Sequence, residues 1–175
     1  MRLPSMLLAC AAVLAAGCAH RSPAPGQPLF NGRNLEGWVI MHGGEWTVAD
    51  GILTGRNGVG WTTNPETSGS WLRTAREYGD FVLDLDYTIN AKGNSGVFIR
   101  AALDKNPAFT GNEMQILDDS QMTEPKTWST GALYDVVAAN RVMSKPAGEW
   151  NTVRIEARGP RVRIWLNGAE IALGG

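Results

Sequence analysis

Cysteine and histidine are both scarce in this chain, which has two of each among its 175 residues. Cys10 lies in the apolar amino-terminal segment, so the rest of the chain has a single thiol, Cys18, and no internal disulfide. His42 is the one histidine between residue 29 and the end of the chain, which excludes a histidine-rich zinc site there. Since His42 stands beside Gly43-Gly44, we expect it to lie in a loop.

An excess of charge of one sign is lacking as well, because 16 basic and 17 acidic residues leave a net charge of −1. This balance gives no electrostatic reason to expect nucleic acid as a partner. Long helical periods are absent beyond the amino terminus. What the chain has in abundance is 21 glycines, which suit tight turns between short strands, and seven tryptophans, whose flat rings can stack on sugars.

The amino terminus has the pattern of an export signal. Arg2 precedes an apolar run at residues 7–16, and small residues stand directly before Cys18. This ending is similar to the lipobox of bacterial lipoproteins, in which the cysteine is lipidated. We therefore expect a lipoprotein signal peptide at residues 1–18 and a flexible tether at 19–28, since that stretch is rich in alanine and proline. The protein would be held at the bacterial envelope, on the outer membrane facing the periplasm, through its lipid alone.

Alternation of polar and apolar residues predicts about ten short strands in the rest of the chain. The clearest alternation runs from Phe81 to Ile89, and Asp50-Gly51 and Asn167-Gly168 each have the composition of a hairpin turn. The other expected strands are Trp46–Val48, Ile52–Thr54, Trp71–Arg73, two between Gly93 and Asp119, Gly131–Val137, Asn151–Ala157, Val162–Leu166 and Ile171–Leu173. This pattern predicts one all-β domain, an antiparallel β-sandwich of the jelly-roll type.

The two strands between Gly93 and Asp119 carry the most polar side chains in a strand-like pattern. Successive side chains of a strand point to opposite faces. The inward set is expected to be Val97, Ile99, Met114 and Ile116, and the outward set Phe98, Arg100, Glu113 and Gln115. Glu113 and Gln115 would lie roughly 7 Å apart along one strand with Arg100 beside them. An acid, an amide and a guanidinium that face the same way predict a functional site.

Seven short motifs, read in order, resemble one known bacterial family, the 3-keto-disaccharide hydrolases, formerly a domain of unknown function. The resemblance covers Leu29 to the end of the chain. It implies a jelly roll of the concanavalin A-like lectin/glucanase type, a sugar site on its concave face, and export. The motifs are Leu29-Phe30-Asn31-Gly32 with Gly37-Trp38; Trp46 with Asp50-Gly51; Gly93-Asn94-Ser95-Gly96 with Arg100; Gly111, Glu113, Gln115, Leu117 and Asp118; Gly131 and Tyr134; Gly148-Glu149-Trp150-Asn151; and Leu166-Asn167-Gly168.

The resemblance implies cleavage of glycosides whose third hydroxyl has been oxidised to a ketone, by elimination and then hydration. Glu113 would be the base at the second carbon and Gln115 would hold a sugar hydroxyl. Arg100 would steady the ketone oxygen, and Asp118 or Tyr134 would protonate the leaving oxygen. A separate oxidoreductase would supply the oxidised sugar. Without a catalytic role, Arg100 and Glu113 would form a surface ion pair and Asp118 would cap a turn.

Substrate binding is expected from one amide and three aromatic side chains, namely Asn94, Phe98, Trp128 and Trp61. The cofactor that we consider is a divalent metal ion, for which Glu113 and Gln115 would be the ligands. Members of the family continue beyond the Leu-Asn-Gly hairpin into a glutamine-and-histidine motif and a closing strand. We therefore expect the jelly-roll domain, residues 29–175, to be truncated at its carboxyl end.

Two other functions fit the same residues. Glu113, Gln115 and Asp118 have the spacing of the Glu-x-Asp-x-x-Glu strand of family-16 glycoside hydrolases, in which a bulge brings the acids to one face. The amide at Gln115 disfavours that mechanism, because it removes the charge that tunes the neighbouring acids. The third function is a carbohydrate-binding domain without catalysis, in which Trp61, Trp71 or Trp128 stacks on sugar.

Overall fold

The computed structural model describes residues 26–174. The expected signal peptide, the lipidation site at Cys18 and most of the tether lie outside these residues. Residues 26–30 contain neither helix nor strand. No helix between residues 26 and 174 is long and apolar enough to cross a membrane.

Ten strands and one single-turn helix make up the part of the chain from Asn31 onward. Most elements lie where the alternation predicts them. They are β1 (Trp38–Met41), β2 (Glu45–Ala49), β3 (Ile52–Arg56), β4 (Trp71–Thr74), β5 (Phe81–Tyr87), β6 (Asn94–Ile99), α1 (Pro107–Thr110), β7 (Asn112–Leu117), β8 (Asn151–Arg158), β9 (Arg161–Leu166) and β10 (Ala169–Gly174).

One layer is a four-stranded antiparallel sheet in the order β10-β9-β8-β5. β8 and β9 alternate strictly between buried and accessible residues, so every second side chain enters the core. Ile155 and Ile164 are opposite each other in the register and completely buried. Truncation of either to alanine is expected to cost about 2–5 kcal/mol of unfolding free energy. The turn that follows β9 has positive φ at Asn167 and Gly168, as the Asn-Gly pair predicts.

The antiparallel pair β6–β7 packs on that sheet. Ile99, Met114 and Ile116 belong to the same buried cluster as the inward residues of β8, β9 and β10, so the core lies between two layers. The antiparallel pairs β1–β4 and β2–β3 complete the strand content. The architecture is therefore the all-β antiparallel sandwich that the sequence predicts.

The structure corrects two strand predictions. β5 ends at Tyr87, two residues before Ile89. The predicted strand Gly131–Val137 is wrong, because it contains only two isolated bridges, at Leu133 and Val137, and turns elsewhere. Positive φ angles at Gly131 and Asp135 break the extended backbone there. The segment nevertheless runs along the edge of β7 that faces away from β6.

Candidate active site

β6, β7 and the segment after Gly131 place three residues of interest next to one another. Phe98 is directly opposite Glu113 in the β6–β7 register. On the other side of β7 the Tyr134 amide donates a hydrogen bond to the Glu113 carbonyl at 2.9 Å. Tyr134 is exposed and follows Leu133, which pairs with Met114 in the core. Because alternate residues of a strand face opposite sides, Phe98 and Glu113 belong to the face turned away from that core, and the exposed Tyr134 is adjacent to Glu113 along the outer edge of β7.

We call this the polar face of β6 and β7. It contains the three opposed pairs Asn94 and Leu117, Gly96 and Gln115, and Phe98 and Glu113. The register between the two strands is continuous from Asn94 to Ile99, without a bulge. Asn94 at one end of the paired strands and Glu113 at the other therefore lie on one surface.

The Glu113 side chain is partly buried and lies across the backbone of Gly96. An ideal Cβ built on Gly96 would come within 2.7 Å of Glu113 Cδ and Cγ. The carboxylate forms no hydrogen bond or ion pair with any residue between 26 and 174. Burial without a compensating donor disfavours the charged form, and it raises the pKa of Glu113 from 4.5 to about 7. A carboxyl group of this pKa can accept or donate a proton near neutrality.

Trp71 of β4 packs edge-on against Phe98, with ring centroids 5.1 Å apart and an interplanar angle of 84°. Its Nε1 donates to the Ser68 carbonyl at 3.1 Å, and Asn106 Nδ2 donates to the same oxygen at 2.8 Å. His42, in the loop where the sequence predicts it, has Nδ1 3.2 Å from that oxygen. The indole is thus fixed from two sides and in turn holds Phe98 beside Glu113. From the sequence, Trp71 is expected to contact sugar only if the protein is a non-catalytic binding domain.

Gln115 is on the expected face but is not exposed. It keeps only 4% of its accessible surface, and its Oε1 accepts a hydrogen bond from the Ile116 amide at 3.0 Å. Its backbone is also paired on the outer edge of β7, since the Gln115 amide donates to the Ala132 carbonyl and the Gln115 carbonyl accepts from the Gly131 amide. Alternation predicts the face of a residue correctly, but it gives no information on what covers that face.

Arg100 does not form the predicted ion pair with Glu113 within the described part of the chain. It lies one residue beyond β6 with φ of 57°, so its side chain no longer follows the alternation of the strand. Its Nη2 is 3.8 Å from Asp80 Oδ1, and the pair is partly exposed. Such a contact contributes little to stability and leaves other guanidinium donors free to bind a ligand.

A cleft of about 560 Å³ opens where the polar face ends at Asn94 and Leu117. Two of the other predicted site residues, Asp118 and Trp128, line it with Lys92. Asp118 Oδ2 accepts a hydrogen bond from the Lys92 amide at 2.9 Å, and Lys92 has φ of 59°. Asp118 thus caps the turn before β6, which is the structural role that the sequence leaves open.

Trp61, the remaining predicted binding residue, lies in the loop between β3 and β4 and is not part of the cleft wall. Its side chain is 65% exposed. Gly96, which the sequence shows only as the last residue of a family motif, and Lys92 belong to the site although no role is predicted for them. The signal for Gly96 was a glycine inside a strand, which often marks a close approach by another group.

The donor set around Glu113 does not fit a chelating metal site. The described residues contain no group of three or more His, Cys, Asp or Glu side chains that could hold a metal ion. Gln115, the second expected ligand, has its amide oxygen engaged by the Ile116 N–H. We therefore derive no chemical step through a metal.

Comparison with known proteins identifies the family. Residues 25–173 match the 3-keto-alpha-glucoside-1,2-lyase-like domain, and the chain belongs to that family. A 3-keto-disaccharide hydrolase of Bacteroides thetaiotaomicron is 28% identical in an alignment that covers 73% of this chain and 50% of the relative. The chain thus spans about half the length of this curated relative.

Solved structures agree with the sandwich. A candidate glycosyl hydrolase from Parabacteroides distasonis aligns with a TM-score of 0.69 and 29% identity, over 85% of this chain and 71% of that one. A second candidate glycosyl hydrolase from the same organism aligns with a TM-score of 0.63 and 27% identity, over 83% of this chain and 69% of that one. A carbohydrate-binding module, CBM66 from Bacillus subtilis, gives 0.57 at 18% identity over 81% of each chain, which shows a shared fold alone.

Proposed function

We propose that the protein is a carbohydrate-active enzyme that cleaves the glycosidic bond of 3-keto-glycosides by elimination and hydration. The observation that carries the proposal is the Glu113 carboxyl group, which has a pKa of about 7 and belongs to a residue next to both Phe98 and Tyr134. The names of the Bacteroides and Parabacteroides relatives support a carbohydrate hydrolase. The ketone specificity rests on the names of the family and of the Bacteroides relative, and a carboxylate base suits it.

The ketone at carbon 3 acidifies the proton on carbon 2. The Glu113 carboxylate removes that proton, and the electron pair of the C2–H bond forms an enolate with the carbonyl at carbon 3. Arg100, which pairs with Asp80 beyond the end of β6, would have to swing toward Glu113 to stabilise the enolate oxygen. A base of raised pKa is stronger than an ordinary carboxylate, which favours this first step.

The enolate then re-forms the ketone, makes a double bond between carbons 1 and 2, and expels the glycosidic oxygen. Tyr134 would donate the proton that this oxygen takes, because it is adjacent to Glu113 across the ladder. We prefer Tyr134 to Asp118 as the proton donor, because Asp118 is five residues from Glu113, or roughly 16 Å along the strand direction. Addition of water across the new double bond returns a hydroxyl to carbon 1 and a proton to carbon 2. The products are a 3-keto sugar and the leaving alcohol.

This chemistry needs a separate oxidoreductase that oxidises the hydroxyl at carbon 3 beforehand. It also suits the expected lipid-anchored location in the envelope, where glycosides from outside the cell would arrive. The residues that would carry the anchor precede the described part of the chain, so the location stays a prediction.

The decisive experiment offers the purified protein a chromogenic 3-keto-glucoside and, in parallel, the unoxidised glucoside, each with and without chelator. We expect cleavage of the keto sugar only, and loss of at least about 100-fold in kcat for Glu113→Gln. Glu77→Gln is the matched control, because Glu77 is exposed and forms no ion pair with a described residue. Equal cleavage of both glucosides, or full activity of Glu113→Gln, would contradict the proposal.

Two alternatives give different results in the same assay. A family-16-type mechanism would cleave the unoxidised glucoside, but it needs carboxyl groups about 5–5.5 Å apart. The bulge-free register of β7 keeps Asp118 far from Glu113. A binding domain would cleave neither compound yet bind sugar, and the two exposed or edge-stacked indoles of Trp128 and Trp71 favour it as the second candidate.

A further inference from the structure

We propose that the end of the β8–β9 hairpin binds a phosphate group through Arg158, Arg161 and Arg163. These three side chains line a second cleft, of about 520 Å³, together with Glu156 and Pro160. The cleft is on the outward face of the four-stranded sheet, whereas the polar face of β6 and β7 is on the other side of the core. The site is therefore separate from the candidate active site and does not depend on the proposed function.

The strand pattern directs the three arginines outward. β8 and β9 bury every second residue, and Arg158, Arg161 and Arg163 belong to the accessible set. A two-residue turn joins the strands, and the Gly159 amide in it donates a hydrogen bond to Asp80 Oδ1 at 2.8 Å. The arginines thus project from paired strands whose other faces are buried, which limits how far their backbones can move.

The end of the hairpin has an excess of positive charge. Arg158 and Arg161 are directly opposite each other in the register, and like charges in that position destabilise a sheet. Glu156 Oε1 accepts a hydrogen bond from Arg158 Nε at 2.7 Å. Arg161 is exposed and forms no ion pair with any residue between 26 and 174. With three guanidinium groups and one carboxylate, the cleft wall has a net charge of +2. An anion bound among these groups would relieve the repulsion.

The donors around the cleft suit a phosphate better than a carboxylate. Arg163 Nε donates to Glu170 at 3.3 Å, and Arg163 Cζ is 4.6 Å from the centre of the Trp165 ring, so this guanidinium is held in place. Both Nη groups of Arg158 and all donors of Arg161 lack a hydrogen-bond partner in the described part of the chain. A phosphate offers these groups more acceptor oxygens than a carboxylate, and its double negative charge matches the net charge of +2.

The positive charge is confined to this end of the sheet. Next along the outward face, Arg154 donates two hydrogen bonds to the Asp84 carboxylate, at 2.6 and 2.9 Å. Asp86 adds an exposed carboxylate on β5, and Glu170 is opposite Trp165 on β10. These acids balance the remaining basic groups of the face. A compact anion therefore fits the cleft better than a long polyanion does.

The experiment titrates the purified protein with inorganic phosphate and with pyrophosphate, by calorimetry near neutral pH and at constant ionic strength in chloride. Arg161→Gln should weaken pyrophosphate binding by about tenfold or more, because it removes charge-assisted hydrogen bonds. Arg161→Lys keeps the charge but loses the planar fork, so its affinity should be intermediate. The matched control is Arg33→Gln, since Arg33 is also exposed, precedes β1 and does not line the cleft.

A stability measurement shows that a loss of binding is not a loss of folding. In chloride alone, Arg161→Gln should raise the urea midpoint, because it removes one of two opposed charges. Pyrophosphate should raise the midpoint of the unaltered protein and leave that of Arg161→Gln unchanged. Glu113→Gln should bind pyrophosphate as tightly as the unaltered protein does, whichever reaction the protein catalyses.

Vesicles identify the source of the phosphate. Binding to phosphatidylglycerol vesicles but not to phosphatidylcholine vesicles, lost in Arg161→Gln, would support the site and assign the phosphate to a lipid. Binding of the soluble phosphates without binding to vesicles would assign it to a small molecule. The proposal is overturned if none of these probes binds at about 10 mM. It is also overturned if Arg161→Gln and Arg33→Gln weaken binding equally.

Discussion

The Glu113 carboxylate occupies the space that a side chain at Gly96 would need. The two residues are on neighbouring strands, and the Glu113 chain crosses toward Gly96 because its direct partner is the bulky Phe98. Gly96 therefore lets the carboxylate lie against the sheet, where burial raises its pKa to about 7. The glycine acts as a positioning residue for the proposed base.

Gly96→Ala is expected to push the Glu113 carboxylate toward solvent. Its pKa would then fall toward 4.5, and the midpoint of the pH–rate profile would fall with it. The measurement is kcat/KM for a 3-keto-glucoside across pH 4 to 9. Gly79→Ala is the control, because a Cβ there would meet nothing within 4 Å. An unchanged midpoint in an active Gly96→Ala protein would contradict the role.

The pH–rate profile of the unaltered protein follows from the same group. A general base acts in its deprotonated form, so kcat/KM should rise with pH and level off above a midpoint near the Glu113 pKa, about 7. A profile that falls through pH 7 would instead assign Glu113 the role of an acid.

Glu113→Gln should stabilise the fold at neutral and alkaline pH while it abolishes activity. The unfolded chain loses the Glu113 proton near pH 4.5 and the folded chain near 7, so ionisation destabilises the native state progressively as pH rises between these values. Above pH 7 the free energy of unfolding of the variant should exceed that of the unaltered protein by about 1–3 kcal/mol. Below pH 4.5 this gain should disappear. Urea unfolding at about pH 4 and pH 8 measures both. A gain that does not depend on pH would show that titration of Glu113 is not its cause.

Asp119→Asn should lower the free energy of unfolding much more than Asp118→Asn. Asp119 is buried, its Oδ2 accepts from the Thr130 amide at 2.6 Å, and its Oδ1 accepts from Ser144 Oγ at 2.8 Å. One of these acceptors becomes a donor in Asp119→Asn, at a cost of about 1–3 kcal/mol. Asp118 is exposed, so Asp118→Asn should change unfolding free energy by less than about 0.5 kcal/mol. Equal urea midpoints would contradict the assigned roles.

Trp71→Leu should lower both stability and substrate affinity. The variant loses the edge contact with Phe98 and the hydrogen bond to the Ser68 carbonyl, together about 1–3 kcal/mol. Trp61→Leu, in the exposed loop, should leave stability within about 0.5 kcal/mol. Thermal unfolding compares the two, and a rise in KM for Trp71→Leu alone would show that the fixed indole supports the site.

Local pattern determined most of the fold. β5, β8 and β9 alternate so regularly that their buried faces could be predicted residue by residue, and Asp50-Gly51 and Asn167-Gly168 form the expected turns. These features depend on side-chain period and on residues that tolerate positive φ, and both are visible in a single sequence. The polar face could be assigned for the same reason, with Glu113 and Gln115 correctly placed on it.

Tertiary structure decided the environment of each site residue. Gln115 is buried although alternation places it on the polar face, and the distant residues Gly131 and Ala132 pair with its backbone. Arg100 turns away because the backbone becomes left-handed after β6. The raised pKa of Glu113 depends on burial of its carboxylate without an ion-pair partner among residues 26–174, and on the lack of a side chain at Gly96. Burial and ion pairing depend on contacts between residues that are far apart in the chain. The sequence alone therefore determined which face carries the chemistry, and only the folded arrangement decided which groups can perform it.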